Sequence, residues 1–415
     1  MRSPGWSTRF ALRSLIALAT LGLAGCGGSS SSSSSSSTPV KVNNTQPIEV
    51  NLGPANDYPN GVFTTVTVCV PGSSNCQEIP DVLVDTGSEG LRLLSSQVTL
   101  SLPAITDNSS NPLQECVQYA DGSYNWGAIV AADIKMAGET ASSVPIQVID
   151  SSNPTTYPVP NACLSGGGPN ANTVAALGAN GILGIGNFQQ DCGLYCQNNV
   201  VPGAYYLCSS GGCSSTSVPT GFQVQNPVWL FPLDNNGVLI TLPSVADTGE
   251  QTASGSLIFG IGTQSNNALG SAQVYTTDTY GNFQTTYNNV GYSQSYIDSG
   301  SNALYFLDST TLRIPDCSNY PGWYCPSSMV SYTVTTTGQN GTSSSVTLNV
   351  ANAEALFQAN NGQNAAFSNL AGDSGTDPST DYFDFGLPFF YGRSVFVGIE
   401  NMTGPNGVVG PYYAY

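Results

Sequence analysis

Two short acidic turns, far apart along the chain, carry most of the chemical potential of this sequence. The first is Leu83-Val84-Asp85-Thr86-Gly87-Ser88 and the second is Tyr296-Ile297-Asp298-Ser299-Gly300-Ser301. In each, an apolar segment delivers an aspartate, glycine lets the backbone turn sharply, and Thr86 or Ser299 supplies a small hydroxyl able to lock the turn. Ser88 and Ser301 sit where they could hydrogen-bond the aspartates or merely cap the turns. Two carboxyl groups brought within about 3 Å cannot both ionise, so they share a proton and their titrations split. One then serves as base toward a water, and the other as acid toward a carbonyl. The chain contains no histidine. Ser-His-Asp and Cys-His mechanisms are therefore excluded, as is every His-ligated metal site. If this is an enzyme, its acid–base chemistry must come mainly from carboxylates, and neither a metal nor a cofactor is expected.

What positions those turns? Segments such as GVFTTVTVCV, SYTVTTTGQ and SSSVTLNV alternate apolar and polar residues and read as strands, with Gly, Pro and Asn between them. Helical periodicity is scarce: ANAEALFQAN at 351–360 is the best candidate, with a turn or two after Ser309. The fold class expected is mostly β. A lone Asp-Thr-Gly is usually an Asx-type turn in a loop. The two here share more, since each continues without gaps into an apolar segment, Glu89-Gly90-Leu91-Arg92-Leu93-Leu94 and Asn302-Ala303-Leu304-Tyr305-Phe306-Leu307. Such an echo suggests two lobes of similar design, each offering one acidic turn to a common cleft.

Further segments, taken in order, resemble the pepsin-like aspartic peptidases over most of the chain beyond residue 45. VDTGS at 84–88 is similar to the first active-site motif of that family, and IDSGS at 297–301 to the second. QYADGSYNWGAIVAADIKMAG at 118–138 resembles its flap hairpin, with Tyr119 at the flap tyrosine, followed by Gly122 and Ser123, and Trp126 farther along. NGILGIG at 180–186 resembles the apolar-apolar-Gly strand behind the aspartate. GSLIFGIGTQSNNALG at 255–270 resembles the opening of the second lobe, and FGLPFFYGRSVFVGIEN at 385–401 the closing segment. The resemblance implies a bilobal fold with two pseudo-twofold-related β lobes. It also implies an aspartic endopeptidase in which Asp85 and Asp298 activate water against a peptide or protein substrate while Tyr119 closes over it.

Two positions depart from the family pattern. Arg92 stands where a tryptophan is usual, and Leu387 where an aspartate is usual. Arg92 would bring a cation near the cleft, able to hold Tyr119 or to depress the pKa of Asp85; its ordinary reading is a solvent-facing strand residue. Tyr119 could equally be a cross-strand aromatic, Trp126 could contact substrate or cap a sheet, and Tyr305 and Phe306 read as core. Two other readings of the chain stand beside the peptidase: a cleft that binds peptide or glycan without cleaving it, and a purely structural envelope protein in which the turns lie far apart.

The start of the chain reads as routing. Arg2, Arg9 and Arg13 form a basic start, and the apolar stretch FALRSLIALATLGLAG closes on Leu23-Ala24-Gly25-Cys26. That ending resembles the bacterial lipobox, implying a signal peptide over 1–25, acylation of Cys26 and attachment to a membrane through the lipid. Glycine after the cysteine points to the outer membrane, facing the periplasm or the surface. Residues 26–45 form a Ser-rich tether, 46–250 an amino-terminal lobe and 251–415 a carboxy-terminal lobe.

Eight Lys and Arg face 26 Asp and Glu in the whole chain, and three of the basic residues but none of the acidic ones precede Cys26. The remainder is thus strongly acidic, with no basic footprint for nucleic acid, and a monomer is expected. Apart from Cys26, ten cysteines remain, an even number suited to five disulfides in an oxidising compartment. Short spacings suggest Cys69–Cys76 and Cys317–Cys325 as local closures. Cys192, Cys196, Cys208 and Cys213 would pair among themselves, leaving Cys116 with Cys163.

Overall fold

The computed structural model describes residues 43–151, 157–374 and 382–415. The signal segment, Cys26 and nearly all of the tether lie outside the described residues. Among the described residues no helix is long and apolar enough to cross a membrane.

The amino-terminal half is a succession of strands: β1 (Thr45–Asn51), β2 (Gly61–Cys69), β3 (Cys76–Asp85), β4 (Glu89–Leu94), β5 (Leu113–Gln118), β6 (Tyr124–Met136), β7 (Glu139–Ile149), β8 (Gly181–Ile185), β9 (Tyr205–Ser209) and β10 (Gly212–Ser215). β11 (Gly237–Thr241) and β12 (Ala253–Phe259) follow. The valines and threonines of β2 suit a pleated, half-buried surface, and Val62, Val66 and Val68 go fully inside. Helix is confined to short pieces. Ala353–Gln358 matches the periodic segment read at 351–360, capped by Asn352, whose side chain accepts from the Ala355 N–H. Ser309–Leu312 forms the turn expected after Ser309.

The fold is mostly β and bilobal. One 15-stranded sheet runs through the amino-terminal lobe and on through β1, β12 and β11 into the strands Ser394–Gly398, Tyr412–Ala414 and Val274–Thr276. A seven-stranded sheet builds the rest of the carboxy-terminal lobe. The join is β1, which pairs with β2 on one edge (Glu49 opposite Phe63) and with β12 on the other (Val50 opposite Ala253). The 250/251 division read from the sequence falls in the connection between β11 and β12, neighbours in this shared sheet.

The internal echo of the sequence recurs as topology. β3, ending at Asp85, runs parallel to β8, with Asp85 opposite Gly184. β8 pairs antiparallel with β4 on its other edge, and β4 lies parallel to β7. In the second lobe Val290–Ile297, which delivers Asp298, runs parallel to Asp384–Phe385. That strand pairs antiparallel with Leu304–Phe306, which lies parallel to Ala371–Asp373. Glycine is required behind each turn. A Cβ at Gly184 would lie 2.6 Å from the Glu89 carbonyl carbon, and one at Gly386 would lie 2.0 Å from the Ala303 oxygen. One apolar core runs beneath both turns, from Val84 and Leu183 to Ile297, Phe306 and Phe385.

Five disulfides form: Cys69–Cys76, Cys116–Cys163, Cys192–Cys196, Cys208–Cys213 and Cys317–Cys325. They match the pairing suggested by spacing, and resolve the four clustered cysteines into two local loops.

Candidate active site

The two acidic turns meet at the lobe interface, and each holds its own aspartate in the same way. Gly87 N–H donates to Asp85 Oδ1 at 2.8 Å and Ser88 Oγ donates to Oδ2 at 2.5 Å. Gly300 N–H donates to Asp298 Oδ1 at 2.7 Å and Ser301 Oγ donates to Oδ2 at 2.8 Å. The middle residues lock the turns together. Ser299 N–H donates to Thr86 Oγ1 at 2.9 Å, and Thr86 N–H to Ser299 Oγ at 3.1 Å. Each hydroxyl then donates to the strand of the opposite lobe, Ser299 to the Val84 carbonyl at 2.7 Å and Thr86 to that of Ile297 at 3.2 Å. Close approach depends on the missing side chain at Gly87, since a Cβ there would lie 2.4 Å from Asp298 Cγ.

Both carboxyls are buried and hydrogen-bonded to one another, and they titrate as a pair. Burial, then the charge and hydrogen bond of Asp298, push Asp85 up to about 7 against the donation from Ser88. Burial works to raise Asp298 too, but hydrogen bonds from Asp85, Ser301 and the Gly300 N–H hold it down. With Asp85 raised and Asp298 lowered, the pair is suited to sharing one proton. Ser301 Oγ also lies 2.6 Å from Asp384 Oδ2. A third carboxyl thus stands directly behind the pair although Leu387 occupies the position where the sequence comparison expected one.

The flap region is built differently from the expectation. β5 and β6 form the hairpin, and its turn is closed by Tyr119 N–H donating to the Ser123 carbonyl at 2.8 Å and Gly122 N–H to that of Tyr119 at 2.9 Å. Asp121 accepts from the N–H of Ser123 at 2.9 Å and from its hydroxyl at 2.6 Å. Tyr119 is buried, and its hydroxyl donates to Asn125 Oδ1 at 2.5 Å. Trp126 turns away from the cleft: its indole donates to the Tyr157 carbonyl at 3.1 Å and packs edge-on against Tyr206. It belongs to the cluster around Cys116, Cys163 and Cys208, so it caps a sheet and is not placed to touch substrate.

The hairpin is also tied down. Cys116 is bonded to Cys163, Gly168 N–H donates to the Gly122 carbonyl at 3.0 Å, and Tyr124 N–H donates to that of Pro169 at 3.1 Å. β9 pairs with the outer edge of β5.

Arg92 does not face solvent, as its ordinary reading had it, and its guanidinium is committed to two carboxylates. Its guanidinium is buried and contacts Glu115 at 2.9 Å and Asp191 at 3.1 Å, while Tyr205 donates to Asp191 at 2.7 Å. Tyr119 is held by Asn125 instead, and the Asp85 carboxyl is raised rather than depressed.

Sequence reasoning missed three residues that bear on the second turn: Asp384 through Ser301, Tyr58 through the Gly300 carbonyl and Asn60 through that of Asn302. Asp384 lies one residue before the segment that marked the closing strands. Tyr58 and Asn60 sit in a loop of turn-forming residues, and nothing periodic there signals a site.

The family model that matches residues 40–415 is described as a protein of unknown function, DUF3443. The chain belongs to the DUF3443 family. Among curated proteins nothing matches it. Among solved structures it is similar to the aspartic proteinase from Irpex lacteus, at a TM-score of 0.51 and 16% identity, covering 89% of this chain and 96% of that one. For this DUF3443 chain, likeness at that identity establishes a pepsin-like bilobal fold; the chemistry must be argued from the site.

Proposed function

We propose that this protein is an aspartic endopeptidase that hydrolyses an extended peptide lying between the lobes. The observation that carries this reading is geometric: two buried aspartates meet across the lobe interface, each held by a matched pair of donors, an arrangement suited to sharing one proton. Asp298, ionised, takes a proton from a water as its oxygen attacks the peptide carbonyl. Asp85 gives its proton to the carbonyl oxygen, so a neutral gem-diol forms and the negative charge passes from Asp298 to Asp85. Collapse of the diol returns a proton to Asp85, and Asp298 hands its proton to the departing amine. The pair ends as it began. Its fixed donors stabilise the charge without reorganising, which is the main source of catalysis at such sites.

The test is cleavage of a denatured protein at mildly acidic pH by the native chain, Asp85→Asn and Asp298→Asn. Loss of cleavage in both folded variants supports the dyad; full activity in either one removes it.

Export and anchoring are part of the proposal. The lipobox-like segment ending at Cys26 and five disulfides support an outer-membrane lipoprotein, acting as a single chain. Mass spectrometry of the amino-terminal peptide checks it, since an unmodified Cys26 in the exported protein excludes the lipid.

A second reading, binding of peptide or glycan without turnover, draws on the flap turn fixed to residues 163–171, which leaves it little freedom to close. Pepstatin separates the two. Tight binding at acidic pH that disappears in Asp298→Asn favours the enzyme, and peptide binding without turnover favours the module.

A further inference from the structure

The sheet that joins the lobes has a second face. Val238 and Ile240 of β11, Leu257 and Phe259 of β12, and Val395 and Val397 of the strand Ser394–Gly398 belong to the core beneath the dyad. The residues between them point the other way. There Phe396 lies opposite Leu239 and Leu239 opposite Ile258, an apolar row across three strands. Two residues along the same face, Ser394 lies opposite Thr241.

This face lines a cavity of about 610 Å³, within the size range of small-molecule sites. Leu269 and Ala272, from the loop after β12, pack beside the apolar row and extend the lining. Arg393 lines it too, next to the hydroxyl pair. Its guanidinium is half-buried and has no carboxylate partner among the described residues. One nitrogen donates to the Phe389 carbonyl at 2.7 Å, and the Phe389 ring lies beneath it at 4.6 Å. The other donors of the fork remain uncommitted. Burial lowers the Arg393 guanidinium from its ordinary range, opposed by the Tyr415 phenol, whereas at Arg92 burial is outweighed by Glu115 and Asp191. An arginine left without an acid is unexpected in a chain with 8 Lys and Arg against 26 Asp and Glu.

We propose that this cavity binds a monocarboxylate with a linear hydrocarbon tail, its head on Arg393, Ser394 and Thr241 and its tail along Phe396, Leu239 and Ile258. A planar carboxylate matches the open side of a guanidinium fork, and one buried cation balances one negative charge. A phosphate monoester carries closer to two, and the second would stand unbalanced in an acidic protein. The tail is hydrocarbon and not peptide because β11 is hydrogen-bonded on both edges, to β12 and to Ser394–Gly398. No free ladder meets the backbone of an added strand, while an alkyl chain asks for none. The site lies across the sheet from Asp85 and Asp298 and is independent of the peptidase reading.

The experiment is calorimetric titration of the native chain, Arg393→Gln and Ser394→Asp with decanoate, acetate, decan-1-ol, decyl phosphate and the peptide Leu-Leu-Leu. Decanoate should bind the native chain at one site. Acetate lacks the buried methylenes and decan-1-ol the charged hydrogen bonds, so each binds at least about tenfold more weakly. Arg393→Gln weakens decanoate by at least about tenfold. Ser394 is exposed, so Ser394→Asp supplies a folded variant if Arg393→Gln does not fold; its carboxylate occupies the guanidinium and weakens decanoate as well. Absence of decanoate binding, or native affinity in either folded variant, overturns the site. Decyl phosphate binding more tightly than decanoate overturns the carboxylate head, and Leu-Leu-Leu doing so overturns the hydrocarbon tail.

Discussion

Thr86 and Ser299 grip one another across the lobe interface, each giving its backbone N–H to the hydroxyl oxygen of the other. Both are buried, so removing either hydroxyl leaves an N–H and an opposing carbonyl with no water to replace it. Each such group costs about 1–3 kcal/mol. Thr86→Val should therefore lower stability by about 2–6 kcal/mol, while Thr86→Ser stays close to native. Denaturant unfolding checks this, and an unchanged midpoint in Thr86→Val would mean that the grip contributes nothing.

The dyad sets a pH window for activity. The competent form holds one proton between the two carboxyls. It is lost as pH rises through about 7, the value to which Asp85 is pushed, and at the acid end as Asp298, held below the usual carboxylate range, takes up a proton. The profile of kcat/KM should be a broad acidic bell; activity rising steadily above pH 8 would exclude the mechanism.

Stability follows the same groups with opposite signs. Asp85 binds its proton more tightly folded than unfolded, so its contribution is full below about 4 and fades as pH rises toward about 7. Asp298 is held low when folded, so its contribution is present above about 4 and fades as pH falls below that value. Asp85→Asn should flatten the decline in unfolding free energy between pH 4 and 7. An identical slope in the variant would place the proton elsewhere.

Breaking the ion cluster should cost stability without moving the dyad. Arg92→Met strands the carboxyls of Glu115 and Asp191 beneath the flap strand, and loss of one partner from a buried pair costs about 3–5 kcal/mol. The melting temperature should fall while the pH limits of cleavage stay put. A shift of the alkaline limit would show that the guanidinium acts on Asp85 after all.

The flap tie can be tested at one atom. A Cβ at Gly168 would lie 2.4 Å from the Gly122 carbonyl carbon and 2.6 Å from the Ser123 nitrogen. Gly168→Ala should therefore displace the turn, raise hydrogen exchange at Gly122 and Tyr124, and reduce cleavage. Native protection at both amides would show that the turn stands without this support.

How much of this was legible in the sequence depends on what kind of signal each feature leaves. The paired turns announce themselves because the same small residues recur in the same order, and topology then repeats around them. Short spacings suggested Cys69–Cys76 and Cys317–Cys325, but how Cys192, Cys196, Cys208 and Cys213 divide among themselves was decided only by the folded loops. The partners of Arg92 were invisible: Glu115 and Asp191 lie on other elements, and the period-2 pattern of a strand says which face is buried but not what lies opposite. Of the two readings open for Trp126, sheet capping prevails because Tyr157, Tyr206 and the Cys116–Cys163 bridge pack around it, contacts that the hairpin sequence alone does not show. Asp384 and Tyr58 act through positions fixed only when distant strands assemble.

β1 is paired with β12 of one lobe over Thr45–Val50 and, over Glu49–Asn51, with β2 of the other. A pull applied at Asn43 therefore runs lengthwise along the strand and is resisted in shear by two ladders at once, so no single row of bonds opens one at a time. Load at that end draws the lobes against a common spine, and the geometry between Asp85 and Asp298 should be insensitive to tension until the spine itself gives way.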